Sequence, residues 1–300
     1  MDTNVWRFLS GCVTADKPRT LFCAVELIAS ADAGQPNTTF GVHHEERWYT
    51  YQTRTEWSAL AMAAVKYPND PRWLVLGLAP SGAVWELYPK GPAESLARVS
   101  ADVGFTNLAA IGDAAYACGM GRLCFRREAS GQWINLSAPW PHIDEGVIGF
   151  TAMAGASSEL FYAVGWGGEI WARIGSVWER QDSPTNQNLN AIAIAADGTA
   201  YCVGDNGAML KGSRGVWEVI DTGVDANLLD VCIHAGQVFV CSDFEVMRLG
   251  DDGLTADFAG GTDDVPGTCL KLIPAGDEYL YSVGPHDVFM RTTLGWERLA

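Results

Sequence analysis

Between residues 188 and 223 the chain alternates short apolar runs with reversals that carry glycine: NLNAIAIA then DG, TAYCVG then DNG, AMLKG then SRG, and finally GVWEVID. Each run has the length and apolar alternation of a half-buried strand. Asn-Gly and Gly at the reversals supply the left-handed backbone that tight hairpins need. The pattern predicts four antiparallel strands in one unit of under forty residues.

The same unit recurs along the chain. Its second-strand ending appears as AYACG at Gly119, FYAVG at Gly165, AYCVG at Gly204, FVCS at Ser242 and LYSVG at Gly284, with weaker copies WLVLG at Gly77 and TTFG at Gly41. First strands recur as NLAAI, GFTAM, NLNAI and NLLDV, and fourth strands bring Trp133, Trp178, Trp217 and Trp296 after a glycine turn. Four strands repeated about every 40 residues are the signature of a β-propeller, whose blades bury their faces only against each other. Seven markers predict an all-β, seven-bladed propeller of four-stranded blades in a single domain, with blades near 1–55, 56–102, 103–146, 147–186, 187–225, 226–264 and 265–300. Six blades plus an N-terminal appendage is the alternative. RWYTYQT is not an obvious fourth strand for blade 1, whereas the N-terminal VWRFLS resembles that strand type. VWRFLS is therefore expected to pair with blade 1 or to lace the ring closed beside blade 7, so that the termini meet.

The motif Y-x-V-G-x-x-G-x-I/L, present as YAVGWGGEI and YCVGDNGAML and followed by G-x-W, resembles the photosystem II assembly-factor-like propellers, within the wider neuraminidase-repeat-like group. The resemblance is good over 103–223 and looser elsewhere. It implies a non-catalytic, protein-binding propeller. Only repeat residues match, so it transfers no functional side chain.

Composition narrows the chemistry. The 300 residues carry 36 acids against 20 Lys and Arg, a formal charge of −16. That disfavours nucleic acid or an anionic membrane as partner. No run reaches the ~18 apolar residues of a spanning helix, and MDTNVWRFLSGC lacks the basic start of a secretory signal, so a cytoplasmic location is expected. The eight Cys mostly sit in apolar runs such as LFCAV and FVCSD, and no C-x-x-C occurs. Buried, reduced thiols are expected, with no disulfide framework and no zinc site. The Ser and Trp of a sialidase Asp-box are missing from AADGTAY and GDDGLTADF. His43-His44-Glu45-Glu46 and the PHIDE segment (His142, Asp144, Glu145) read as solvated turns, because neighbouring strand residues point to opposite faces. GMGR and GWGG read as hairpin turns, not phosphate cradles. No catalytic residue, metal site or cofactor is expected.

Two features suggest recognition. From Glu218 to Leu270 there are 11 acids and a single base, Arg248. That window suits a cationic protein partner, because complementary charge accelerates encounter. Trp166 stands in the VGWGGE turn where other blades carry Asp205, Met120 or Pro285, a place where an exposed indole could anchor a partner. The candidate partner-binding residues are Trp166, Asp205, Asp243, Glu245, Asp251, Asp252, Asp263 and Asp264. Together these point to a monomeric, non-enzymatic immunity or inhibitor protein that neutralises a cationic toxin such as a nuclease. An assembly-factor or scaffold propeller is the alternative, and a glycan-acting enzyme the third reading.

Overall fold

The computed structural model describes residues 1–89, 94–99, 104–139, 146, 148–258 and 264–300. Its strands form seven four-stranded antiparallel sheets, each built from four strands consecutive in the chain. The seven first strands, Trp6–Thr14, Ala61–Val65, Phe105–Ile111, Phe150–Ser157, Leu189–Ile194, Asp230–His234 and Lys271–Ala275, are innermost. They line a central channel of about 350 Å³, walled by Gly11, Met62, Leu108, Met153, Ile192 and Leu272 among others. This is the seven-bladed propeller that the repeat predicted.

The meander sorts the loops. Turns from second to third strand, and crossings from each fourth strand to the next blade, lie at one end of the ring, here the upper end. Turns from first to second and from third to fourth strand lie at the lower end.

The recurring glycine is a packing requirement of the upper end. A Cβ on Gly119, Gly165, Gly204 or Gly284 would stand 2.1, 1.8, 1.9 or 2.0 Å from the carbonyl oxygen of Gly104, Gly149, Asn188 or Thr268, on the segment entering the same blade. In blades 3 to 5 the next residue, Met120, Trp166 or Asp205, donates its N–H to that same oxygen. The second glycine of the motif meets the segment that leaves the blade: Gly168 against Thr185 and Gly207 against Val224. The V-G-x-x-G motif thus fixes each turn between two crossings, and its specificity belongs to the fold.

Blade 1 differs from expectation in the order of its strands. VWRFLS pairs within blade 1, with Lys17–Leu27, and sits beside the innermost strand of blade 7 as expected, but it is part of the innermost strand and not of a fourth strand. Its buried Phe8, Ser10 and Cys12 explain why: the tryptophan at its start resembles an outer strand, but the residues after it enter the core. RWYTYQT lies in the missing fourth strand, Arg47–Thr55. Gly41 falls inside the third strand, Thr38–His44, because the second-to-third connection carries an inserted helix, Ile28–Asp32.

The ring closes with the bond used inside it. Two fourth-strand indoles donate to the preceding blade, Trp178 to Leu136 O (2.6 Å) and Trp296 to Asp257 O (3.1 Å), while those of Trp133 and Trp217 are buried without a partner among the described residues. Trp48 donates in the same way to Leu299 O (2.7 Å), joining blade 1 to blade 7. Phe8 N–H to Pro285 O (3.1 Å) and the Tyr281 hydroxyl to Pro18 O (2.9 Å) complete the seam. Buried ion pairs lock other seams, Arg127 to Glu86 and Arg122 to Glu169 on either side of blade 3.

Candidate partner-binding end

The structure divides the candidate residues between the two ends. Trp166, Asp205, Asp243 and Glu245 lie in second-to-third-strand turns and Asp264 in the crossing from blade 6 to blade 7, all at the upper end. Asp251 and Asp252 lie in the third-to-fourth-strand turn of blade 6, at the lower end. Asp263, like His142, Asp144 and Glu145, falls outside the described residues.

Local bonding separates them further. Trp166 is half-buried, and its indole N–H is shielded from solvent without a hydrogen-bond partner. The Asp205 carboxylate accepts from the side-chain amides of Asn188 and Asn190, both at 2.9 Å, so its charge is spent holding its own turn. Asn188 and Asn227 each also accept a backbone N–H from the preceding blade's turn, at Gly167 and Asn206. In blades 5 and 6 the N-L motif of the first strand is therefore a cap on the preceding blade.

The acidic window is less negative than it reads along the chain, because cations just outside it fold back onto it. Asp230, deep in the channel, accepts from Lys271 Nζ (3.0 Å) and Leu272 N–H (2.8 Å). Burial alone would depress the Lys271 ammonium, but the charge and hydrogen bond of Asp230 outweigh it and hold it above its ordinary range. Asp257 is buried against Arg291 (2.6 Å), and Lys211 approaches Glu218 (3.5 Å). Arg298 pairs with Asp264 (2.7 Å), and its hydrogen bonds hold that carboxyl below the usual range. Asp221, Asp225, Asp243, Glu245, Asp251 and Asp252 remain exposed and form no salt bridge among the described residues. Four of these six are at the upper end. Asp221 and Asp225 border a groove of about 590 Å³ beside blade 5, whose walls include Asn206, Met209 and Val224.

Two residues that the sequence reading passed over stand at the same end. Phe244 is 76% exposed in the Asp243-Phe244-Glu245 turn, and Phe258, 68% exposed, begins the crossing out of blade 6. They are the most exposed aromatic side chains among the described residues. The legible signal was an aromatic flanked by acids at a turn that needs neither.

Other candidates for chemistry are absorbed by the fold. His43 is buried against Trp48, while His44 bonds Thr20 Oγ1 (2.9 Å), so the two imidazoles of the HHEE string serve different surroundings. Glu45 and Glu46 form the exposed hairpin turn with φ of 48° and 62°. All eight cysteines are buried thiols without a disulfide. Burial pushes Cys118 and Cys269 up to about 12, which keeps them protonated and unreactive. Among the described residues no group of three His, Cys, Asp or Glu side chains is placed to hold a metal ion. No helix there is long and apolar enough to cross a membrane.

No family model matches the chain. It is 37% identical over 196 residues to the Immune protein Tsi7 of Pseudomonas aeruginosa, an alignment covering 64% of this chain and 63% of that protein. The match thus spans less than two thirds of that relative's length. Among solved structures, YCF48 bound to D1 peptide aligns with a TM-score of 0.68 at 13% identity, covering 96% of this chain and 92% of that one. The WD40 β-propeller domain of Doa1 aligns at 0.65 and 10% identity, covering 97% and 92%. At such identities both show the fold alone, and that fold is the propeller implied by the assembly-factor resemblance.

Proposed function

We propose that this chain is a non-enzymatic, protein-binding propeller and, within that class, an immunity protein that neutralises a cognate cationic toxin such as a nuclease, acting as a monomer in the cytoplasm. The observation that carries the reading is the 37% identity over 196 residues to Immune protein Tsi7. The physical picture agrees with it. A nuclease concentrates positive charge where it meets phosphate, and exposed carboxylates on a rigid ring can occupy that surface as a charge mimic. The rigid propeller leaves little ordering cost to pay on association.

The test is co-expression with each basic toxin candidate found in genes neighbouring this one, followed by titration of the purified pair. Rescue of growth, with stoichiometric inhibition that weakens as salt rises, is the expected result. A partner that proves to be a glycan, or an assembling complex with no toxic member, would replace the reading with an enzyme or with a scaffold.

A further inference from the structure

The upper end of blade 6 departs from the repeat in a coordinated way. Where the other well-marked blades place glycine, Ser242 stands, and the bond from the next residue's N–H to the entering segment is missing among the described residues. Ser242 N–H to Glu245 O (3.0 Å) closes the turn as Gly284 N–H to Asp287 O does in blade 7, and two further bonds fix it: Phe244 N–H to Ser242 Oγ (3.4 Å) and Cys269 N–H to Asp243 O (3.0 Å). Phe244 is therefore held at the tip of an anchored turn, and its exposure is not that of a loose loop.

Phe258 stands on an adjoining segment. Asp257 donates its N–H to Val246 O (2.9 Å), extending the pairing of the third and fourth strands past Met247 and Ala256. Phe244 lies two residues before Val246 and Phe258 one residue after Asp257, so the two rings leave adjoining segments. Asp243 and Glu245 flank the first ring, and neither carboxylate makes a hydrogen bond or salt bridge among the described residues. Two exposed aromatics on adjoining segments, with carboxylates in the same turn, have the composition of the apolar anchor and polar rim of an interface hot spot.

The same region shows what fits such a surface. Arg298 lies over the Phe289 ring at 4.5 Å while its guanidinium pairs with Asp264. Arg291 lies over Phe239 at 5.1 Å while pairing with Asp257. Twice at the seam of blades 6 and 7, then, an arginine is held between a phenylalanine face and an aspartate, the arrangement that cation–π attraction and charge pairing favour together. Phe244 and Phe258, with Asp243 and Glu245, present the rings and carboxylates of that arrangement, and among the described residues no arginine lies over either ring.

We propose that Phe244 and Phe258, with Asp243 and Glu245, anchor a basic protein whose arginine or lysine side chains seat between ring and carboxylate. This rests on the proposed protein-binding function and assigns it to one end of the ring. The test places the photo-crosslinking residue benzoylphenylalanine at position 244, 258 or 294 in the full chain, in the cell that makes it. Leu294 is 86% exposed in the lower-end turn of blade 7 and serves as the control. The adduct partner is identified by mass spectrometry, purified and titrated against the wild type, F244A/F258A and D243N/E245Q, each shown by its melting curve to be folded.

The expected result is adduct formation at 244 and 258 but not at 294, with a partner of basic contact surface. F244A/F258A should raise Kd by about 100-fold or more. D243N/E245Q should slow association by about 10-fold at low salt and converge on wild type at high salt. Adducts only at 294, a Kd within twofold for the double alanine variant, or an acidic partner would overturn the proposal. Growth rescue by F244A/F258A equal to wild type would move the interface while leaving the immunity reading in place. Adducts at 244 and 258 with no rescue by the wild type would do the reverse.

Discussion

Blades 5 and 6 are adjacent, share strand order and carry an acidic residue at the start of the same upper turn, yet they use it in opposite ways. In blade 5, Gly204 admits the Asn188 carbonyl, Asp205 is bonded by Asn188 and Asn190, and Gly207 packs under Val224. The carboxylate of that turn is bonded to its own blade, while Asn206 at its tip is exposed and donates to Gln187. In blade 6, Ser242 replaces the glycine and Asp243, Phe244 and Glu245 face solvent. A repeat position consumed by closing the fold has nothing left with which to bind. On the proposed reading, recognition is carried where a blade departs from the repeat, and the conformity of blade 5 makes the departure of blade 6 informative.

The contrast can be broken most severely at the glycine. Gly204→Ala sets a methyl group 1.9 Å from the Asn188 carbonyl oxygen, so one of two backbone segments must move. The expected loss is about 3 kcal/mol or more, read by denaturant unfolding. Ser242→Ala in blade 6, where a side chain is already accommodated, should cost less than about 1.5 kcal/mol, mainly the bond to Phe244 N–H. Equal losses would show that the close approach in blade 5 is not what the glycine serves.

A smaller effect separates the two aspartates. Asp205→Asn turns one of the two accepting oxygens into a donor facing an asparagine amide, and should cost about 1–3 kcal/mol. Asp243→Asn should stay within about 0.5 kcal/mol, as at an exposed site. In a binding assay the order should invert, with Asp243→Asn slowing association more. D251N/D252N, at the lower end, should leave association unchanged; a loss there equal to that of D243N/E245Q would place the partner across both ends.

This contrast also shows what could be read from the chain. The blade repeat was legible because each marker is a packing necessity: the glycine under a carbonyl, the tryptophan reaching the preceding blade, the asparagine capping its neighbour. The strand roles inside blade 1 were misread where those markers are diluted. Its Trp48 makes the same inter-blade bond as Trp178 and Trp296, but RWYTYQT lacks the G-x-W context, and the inserted helix Ile28–Asp32 displaces Gly41 from the expected place. The acidic window was legible as charge but not as surface, since Lys271, Arg291 and Arg298 lie beyond its end in sequence and against it in space. Phe244 and Phe258 were passed over because the search weighed carboxylates and an indole. Exposure at a turn is set by the turn's own bonds, which no composition shows.

The least disruptive probe of blade 6 is pH. At the lower end of its innermost strand, His234 is 4% exposed, packs edge-on against Phe239 and has Nδ1 without a partner; the repeat in blade 5 places Ala195 there. Burial, and then the nearby Arg291, push the His234 imidazole below its ordinary value of 6.5. His43 in blade 1 is lowered chiefly by burial as well. In both, the native state binds fewer protons than the unfolded chain as pH falls through 6.5, so stability rises with pH and is lost on acidification below that point. Each histidine can contribute a slope of up to about 1.4 kcal/mol per pH unit. Urea unfolding between pH 7.5 and 5 should show stability falling as pH falls. In His234→Ala the slope should be shallower whatever the baseline cost of the lost packing, with the remainder arising from His43 and from the Met1 amino group, which burial also lowers. A slope unchanged by His234→Ala would mean that the imidazole accepts its proton inside the folded ring, and that Arg291 does not oppose it.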